Sequence, residues 1–341
     1  MKNGILWLVA VFTLAVFADP VKVIFDTDMY TDFDDAGALA CLHALADAGE
    51  CEILATVACT RDCHSVAICE IINAYYGRPD IPVGCSREIG RTGSSPRHEF
   101  RYGDAVRKYA KWVRHSRSDH APDANEIYRR VLAAQPDNSV VLCSVGFLTN
   151  MRRLLETGPD DISPLDGRTL VARKIHVWVA MACRYPQGWE YNSGTDYQSS
   201  RLALENWPTP VVFTDWNLGI GVYAGRALAD LKVKDNPVAE IFAKSLNDSE
   251  ALEGTSPHGW DRRGRASWDE TAVLIAVRGA EAYFNVHRGT YRMVGEKGED
   301  EWCADEEKGP HIRVTEKVNA IKIGRIIDEL MCRGPKSPIR L

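Results

Sequence analysis

Five aspartates follow a short apolar run near the start of the chain and occupy a stretch of ten residues. The apolar run is Val21–Phe25, and the aspartates after it are Asp26, Asp28, Asp32, Asp34 and Asp35. This order, with apolar residues at helical spacing behind it, predicts a strand, an acidic turn and a helix. Ligands of open α/β sheets bind at the carboxyl ends of strands. Because clustered carboxylates repel one another unless a cation or shared protons compensate, the unit predicts a hard-metal site and a hydrolytic chemistry.

Strand and helix patterns alternate along the chain beyond this unit. Apolar runs predict strands over Val21–Phe25, Glu52–Ala58, Val140–Cys143, Lys174–Val179 and Val211–Thr214, and helices over Ala36–Ala48, Ser65–Tyr76 and Met151–Glu156. We expect helices and loops over residues 87–135, a loop after a helix over residues 232–265, and a hairpin over residues 295–314. The alternation predicts an α/β fold with an open, mostly parallel central sheet and helices on both faces.

The first eighteen residues differ in composition from the rest of the chain. Lys2 provides a small positive charge, Ile5–Phe17 is mostly apolar, and Val16-Phe17-Ala18 resembles a cleavage site before Asp19. We interpret residues 1–18 as a signal peptide and residues 19–341 as a single domain, which predicts export to the periplasm or the extracellular space. A buried N-terminal strand or helix is the alternative for residues 1–18. No other stretch is long and apolar enough to cross a membrane, so we expect no association with a membrane after cleavage.

Composition limits the class of partner. A chain of 341 residues that is 45% hydrophobic can bury a substantial core. The net charge of −6 provides no basic surface for a nucleic acid. We therefore expect a small-molecule substrate and no nucleic-acid partner.

The ten cysteines are scattered, and six of them lie between Cys41 and Cys85. No paired CxxC motif indicates zinc. In an oxidising compartment this crowded region is where pairing is most expected, while other cysteines are expected to pack as small apolar residues. The connectivity stays open at this point.

Several blocks of the sequence resemble one family. The segment DTDMYTDFDDAGALA resembles the aspartate motif of the inosine–uridine-preferring nucleoside hydrolases, in the long form with two extra residues before the final Asp pair. The resemblance continues, in order, through ILATVACT, YYGRPDIPVG, VVLCSVGFLTN, WEYNSGTD and RASWDETAVLIAV. It runs from Val21 to Val277 and implies a nucleoside hydrolase-like fold with a Rossmann-like core. It also implies hydrolysis of the N-glycosidic bond of a ribonucleoside or a related ribosyl compound, which releases base and ribose.

The resemblance also implies a Ca²⁺ ion and its ligands. Asp28 would ligate the metal and act as the general base toward the attacking water, and Asp35 would bind the metal with both oxygens. Val145 would contribute its backbone carbonyl, and Asp269 would complete the protein ligands from the far end of the chain. Calcium takes six to eight oxygen ligands, so these groups with water and sugar hydroxyls make a complete set.

The same resemblance assigns residues to the sugar. Asp34 would bind a ribose hydroxyl, Glu190 and Asn192 would hold other hydroxyls, and Asp26 would support the metal ligands. Cleavage of a glycosidic bond places positive charge on the ribose, which anionic side chains stabilise. Members of the family are commonly homodimers or homotetramers, which implies such an assembly here.

The chain departs from the family pattern where the substrate should lie. Tyr30 replaces a glycine of the aspartate turn, and Thr60 replaces an asparagine that contacts the nucleoside. Arg184 stands where an asparagine faces the 5′ side of the ribose, and Trp268 stands where some members have a histidine that protonates the leaving base. Thr60, Arg184 and Trp268 are therefore candidate substrate contacts. Arg184, and Arg61 next to Thr60, would suit a phosphate or carboxylate on the substrate, or would pair with a site aspartate.

Two other functions compete with this interpretation. The first is a calcium-stabilised protein that binds a nucleoside or sugar without catalysis, because the departures fall at the substrate end. The second is a phosphatase with a DxD nucleophile loop, since the motif follows a strand. The phosphatase is disfavoured, because that class would have Thr or Val at Tyr30 and would give no role to Glu190 or Asp269.

Overall fold

The computed structural model describes residues 19–29, 32–88, 96–247, 260–261, 263–304 and 309–336, with only the backbone at 96–98 and 260–261. The predicted signal peptide over residues 1–18 and the departure at Tyr30 lie outside the described residues. No helix in the described part of the chain has the length and apolar character needed to span a membrane.

The strands of the described residues are β1 (Val21–Thr27), β2 (Cys51–Ala58), β3 (Val83–Cys85), β4 (Val140–Ser144), β5 (Ile175–Ala180), β6 (Gln187–Trp189), β7 (Val211–Phe213), β8 (Tyr223–Gly225), β9 (Trp260–Asp261), β10 (Gly264–Ala266), β11 (Phe284–Met293), β12 (Glu299–Cys303) and β13 (His311–Glu316). The predicted strands agree with β1, β2, β4, β5 and β7 to within a few residues at their ends. The hairpin predicted over residues 295–314 lies further towards the N-terminus, because β11 and β12 pair antiparallel from Thr290–Cys303 to Met293–Asp300. Within the predicted interval, β12 and β13 both pair with β11 and not with each other.

The α-helices of the described residues are α1 (Asp34–Asp47), α2 (Ser65–Tyr75), α3 (Pro96–Lys108), α4 (Ala124–Ala134), α5 (Thr149–Leu155), α6 (Gly167–Lys174), α7 (Tyr191–Thr195), α8 (Tyr197–Asn206), α9 (Trp216–Gly219), α10 (Arg226–Ala229), α11 (Pro237–Leu246), α12 (Trp268–Arg278) and α13 (Ala320–Met331). Two short 3₁₀ helices cover Ala110–Trp112 and Ser118–His120. Helices and loops thus fill residues 96–134, as predicted for that interval.

Ten strands form one sheet in the order β3-β2-β1-β4-β5-β7-β13-β11-β12-β6. The strands from β3 to β13 are parallel, and β11, β12 and β6 are each antiparallel to the strand before them. The chain runs from β1 outward to β2 and β3, then returns to the other side of β1 as β4. Such a reversal creates a crevice at the carboxyl ends of the two central strands.

Helices cover both faces of this sheet, as predicted. Strand β1 shows this directly, because Val23 and Phe25 pack into one hydrophobic cluster while Ile24 packs into the other, and all three are fully buried. The first cluster contains residues of α1, α2, α11, α12 and α13, and the second contains residues of α4, α5, α6 and α8. A strand buried on both faces is apolar at successive positions, which explains the apolar run in the sequence.

Residues 232–265, predicted as loop after a helix, contain the helix α11. The side chain of Asn236 caps it by accepting from the N–H groups of Val238 and Ala239 at 3.1 Å, and Pro237 occupies its first turn. Both residues are typical of a helix start. The loop prediction was wrong here because the polar composition of the interval obscured this start signal.

All ten cysteines are free thiols in this structure, and seven of them are buried. The crowded region between Cys41 and Cys85 forms no disulfide. Burial raises the pKa of Cys69 and Cys143, so these thiols are neutral. Buried thiols of this kind pack as small apolar side chains, which is the second role predicted for them.

His43 of α1 is a fully buried polar residue in the core. Its Nε2 lies 2.9 Å from Oδ1 of Asn73, and its ring stacks on Tyr76 with the ring centres 4.7 Å apart. Arg78 Nη1 lies 3.4 Å from Nδ1. Because a guanidinium can only donate, Nδ1 is the acceptor and the ring is neutral, with its proton on Nε2. Burial lowers the pKa of His43 to about 3.

We predict that His43 makes the fold sensitive to acid. Its folded-state pKa of about 3 lies below the ordinary value of about 6.5, so the stability it contributes is complete above pH 6.5 and is lost as the pH falls towards 3. One buried histidine accounts for up to about 1.4 kcal/mol per pH unit in that window. Urea unfolding measures the free energy of unfolding between pH 7 and 4. This free energy should fall less steeply with decreasing pH in His43→Gln than in the parent protein. His287→Gln, at an exposed position, is the control and should keep the pH dependence of the parent. An equal pH dependence of the free energy of unfolding in both variants would contradict the prediction.

Candidate active site

Two loops meet at the crevice between β1 and β4. Asp28 directly follows β1 and Val145 directly follows β4, and the N–H of Val145 donates to the carbonyl of Asp26 over 2.8 Å. Asp269 reaches the same place from the first turn of α12. Residues far apart in sequence come together because the carboxyl ends of neighbouring parallel strands open at the same edge.

The aspartates form two overlapping groups of ligand atoms. Asp28, Asp32 and Asp35 each offer an oxygen within 4.8 Å of the others, and so do Asp34, Asp35 and Asp269. The first turn of α1 contains Asp34 and Asp35, and the first turn of α12 contains Asp269. The positive ends of two helix dipoles therefore face the cluster and favour negative charge there.

The buried aspartates of the cluster all have raised pKa values. Burial raises the pKa of Asp35 to about 8 and that of Asp34 to about 6. Burial first, and neighbouring carboxylates second, raise the pKa of Asp28 and Asp269 well above the ordinary value. In addition, the buried Oδ2 of Asp35 has no hydrogen-bond partner among the described residues. The repulsion and the open oxygen both fit a site that binds a cation.

Hydrogen bonds fix the shape of the aspartate loop. Oδ1 of Asp35 accepts from the Thr27 hydroxyl and, at 3.0 Å, from the N–H of Met29. Met29 has a φ of +33°, a backbone conformation that is strained for a non-glycine residue. The fully buried Thr60 donates its hydroxyl to the carbonyl of Asp28 at 2.9 Å. Thr60 therefore stabilises the aspartate loop, and its contact with the substrate stays a prediction.

The chain after β6 brings Asn192 of α7 beside Val145, and Glu190 directly precedes this helix. Glu190 is buried and caps α7, since its carboxylate accepts from the N–H groups of Asn192 and Ser193 at 2.9 Å each. Nδ2 of Asn192 donates to the carbonyls of Val145 and Met181 at 3.2 and 3.0 Å. A carbonyl has two lone pairs, so Val145 retains one for a metal. That Glu190 and Asn192 hold substrate hydroxyls stays a prediction.

Arg265 is a site residue that the sequence did not reveal. Its guanidinium is buried, with Nε 3.0 Å from Oδ1 of Asp34 and Nη2 2.6 Å from Oδ2 of Asp32. It also lies 4.8 Å from the centre of the Trp268 ring and 5.5 Å from that of Phe33. Asp34, expected at a ribose hydroxyl, thus already has a charged partner. In the sequence, only its position four residues before the predicted metal ligand Asp269 could have pointed to Arg265.

Trp268 and Arg184 both contact Trp216. Trp268 is buried and donates its Nε1–H to the carbonyl of Trp216 over 2.8 Å, with the two rings 6.2 Å apart. The guanidinium of Arg184 lies 4.2 Å from the centre of the Trp216 ring. Because Trp268 directly precedes Asp269, this aromatic pair forms a wall next to the aspartate cluster.

We predict that Arg265→Gln destabilises the fold strongly. Removal of one partner leaves the buried Asp34 charge uncompensated, which costs about 3 kcal/mol or more. Guanidinium chloride unfolding in the presence of a chelator measures the loss. Arg130→Gln is the matched control, because its pair with Glu126 is exposed and such a pair contributes less than about 1 kcal/mol. An equal loss in both variants would refute a role for Arg265 in neutralising the cluster.

Comparison with known structures shows the same fold. A purine-preferring ribonucleoside hydrolase from Gardnerella vaginalis superposes with a TM-score of 0.66 at 18% identity, over 91% of this chain and 96% of that one. An inosine-guanosine nucleoside hydrolase gives 0.64 at 20% identity, over 91% and 97% of the two chains. A plant nucleoside hydrolase gives 0.63 at 19% identity, over 92% and 99%. No curated protein sequence matches the chain.

The family model described as inosine-uridine preferring nucleoside hydrolase matches residues 23–324. The fold, the family and the enzyme class predicted from the sequence are therefore confirmed, and no comparison supports the phosphatase. The family acts on small-molecule ribosyl substrates with the help of a metal ion, which agrees with the aspartate cluster. The chain belongs to the inosine-uridine preferring nucleoside hydrolase family and is a nucleoside N-glycosyl hydrolase.

Proposed function

We propose that the protein is a calcium-dependent hydrolase that cleaves the N-glycosidic bond of a ribonucleoside or a related ribosyl compound. The observation that carries this proposal is the buried aspartate cluster, in which Oδ2 of Asp35 has no hydrogen-bond donor among the described residues. A buried carboxylate oxygen without a donor is costly unless a cation binds it. The cluster lies at the crevice where open α/β sheets bind their ligands.

The chemistry of the donors supports calcium. Within the described residues, both groups of candidate ligands consist only of aspartates, and Val145 adds a carbonyl oxygen. Asp28, Asp35, Asp269 and Val145 would hold the ion, because calcium prefers hard oxygen ligands and tolerates irregular geometry. When bound, the ion would supply positive charge that polarises water and sugar hydroxyls.

Asp28 is the proposed general base. Burial and the neighbouring Asp35 raise the pKa of Asp28, whereas a nearby cation lowers it. These opposing effects keep the carboxylate ionised yet basic enough to take a proton from the attacking water near neutral pH. The hydrogen bonds of Thr60 and Val145 to this part of the backbone hold the carboxylate in position.

Asp34, Glu190 and Asn192 are the proposed ribose contacts. All three are buried, and Asn192 lies next to the Val145 carbonyl. Departure of the base leaves positive charge on the ribose ring, which nearby carboxylates stabilise. Trp268 presents an aromatic side chain in the same crevice, and we propose that it contacts the leaving base.

We also propose how the protein is processed, exported and assembled. Residues 19–341 would form a single exported domain after removal of residues 1–18, and it would assemble as a homodimer or homotetramer. The composition of the first eighteen residues supports export, and the family resemblance supports the assembly.

We predict that nucleoside hydrolysis depends on Asp28 and on a metal ion. Loss of a general base lowers kcat by about 10²–10⁴-fold. Release of ribose from inosine, uridine and other nucleosides should therefore fall by that factor in Asp28→Asn, and should stop when a chelator is added and return with Ca²⁺. Asp166→Asn is the control, because Asp166 is exposed and caps α6. A folded enzyme that binds ribose but hydrolyses nothing would favour the non-catalytic binding protein.

We predict that Asp35→Asn separates metal binding from folding. The substitution replaces a buried carboxyl, whose ionisation burial and its neighbours oppose, by a neutral amide, so the metal-free variant should have a Tm equal to or above that of the metal-free parent. Calcium should raise the Tm of the parent but not that of the variant, since a ligand that binds only the native state stabilises it. Thermal unfolding with and without Ca²⁺ tests this, with Asp119→Asn at an exposed site as the control. An undiminished calcium response in Asp35→Asn would contradict the assigned ligand.

A further inference from the structure

The loop after β5 holds Arg184 in a defined position. Its backbone N–H donates to Oδ1 of Asp300 on β12 over 2.9 Å, and the N–H of Cys183 donates to Oε2 of Glu190 over 3.2 Å. The side-chain stem of Arg184 packs against Gly188, where an added Cβ would lie 2.8 Å from Cδ of Arg184. Position 188 thus requires a glycine for this placement. The antiparallel pairing of β12 with β6 holds the loop from the other side.

The Arg184 guanidinium has a ring partner but no acidic partner. It lies 4.2 Å from the centre of the Trp216 ring, and among the residues with described side chains it forms no ion pair. Several other partly or fully buried arginines pair with carboxylates, as Arg129 does with Asp160 and Arg278 does with Glu50. A half-buried cation is normally compensated by an anion. Here the compensating group is missing from the described protein.

The position of this cation relates it to the aspartate cluster. Trp216, on which it stacks, accepts a hydrogen bond from Trp268, and Trp268 is followed by Asp269. Beyond the short strand β6, the same stretch of chain reaches Asn192 of α7, which contacts the carbonyl of Val145. The guanidinium therefore belongs to the wall of the crevice in which the ribosyl group is proposed to bind.

We propose that Arg184 binds an oxyanion, a phosphate or a carboxylate, carried by the ribosyl substrate. The inference rests on the proposed function, because it takes the aspartate cluster as the site of the ribose. A guanidinium held over an aromatic ring leaves N–H groups available, and these match the oxygens of phosphate and carboxylate groups in a two-point contact. The stacking also orients the cation before the ligand arrives.

Arg61 is the natural control for this role. Its Nη1 donates to the backbone carbonyl of Arg87 over 3.2 Å, so it holds a neighbouring loop. Both are arginines that follow a strand of the sheet, but only Arg184 stacks on the wall formed by Trp216 and Trp268. The substitution Arg61→Gln removes the same charge without touching that wall.

Equilibrium binding in the presence of Ca²⁺ tests the proposal. Calorimetry should show that the protein binds ribose 5-phosphate at least about tenfold more tightly than ribose, or orotidine at least about tenfold more tightly than uridine. The first result places the oxyanion on the sugar and the second places it on the base. Arg184→Gln should abolish the preference, Arg184→Lys should retain part of it, and Arg61→Gln should retain all of it. Melting temperatures confirm that each variant is folded.

Three outcomes separate this inference from the proposed function. Calcium-dependent binding of ribose without preference for either anionic compound overturns the oxyanion site alone. A preference that persists in Arg184→Gln overturns the role of Arg184. Preference for an anionic compound without chelator-sensitive hydrolysis of any substrate overturns the proposed reaction and leaves the oxyanion site in place.

Discussion

Mutual repulsion among buried carboxylates is the constraint around which this protein is organised. Asp28, Asp34, Asp35 and Asp269 are all buried, and each has a raised pKa because water is excluded and the others are near. A fold that kept such groups together without compensation would be unstable. Two helix dipoles and one buried arginine compensate these charges within the protein, and a cation of the kind that the family uses would act on the same few oxygens.

The sheet makes this concentration of charge possible. The reversal of strand order between β1 and β4 opens a crevice, and the first turns of α1 and α12 direct their aspartates into it. Arg265 then neutralises Asp34 and Asp32 on one side, leaving the open oxygen of Asp35 for a metal ion on the other. Arg265 thus compensates part of the negative charge, and the remainder is left for a metal ion.

The elements that could be predicted from the sequence are those encoded locally. The buried strands β1 and β2 are apolar runs in the sequence, and the acidic turn between β1 and α1 indicates a cation site. Both patterns could be recognised because they depend only on residues that are neighbours in the chain. The family resemblance added Asp269 and Val145 from distant blocks, and the fold brings both to the crevice. Helix α11 was missed, although Asn236 and Pro237 mark its start, because its surroundings are polar.

Sequence patterns alone thus identified the α/β class, the family and the acidic floor of the site. The contacts that cross the fold were decided in three dimensions. Packing turns the Thr60 hydroxyl towards the backbone of Asp28, and the Glu190 carboxylate caps α7. Arg265 carries no local signature, since its partners lie more than 200 residues away in sequence. Burial and long-range pairing depend on how strands and helices assemble, and a linear pattern contains no direct record of that assembly.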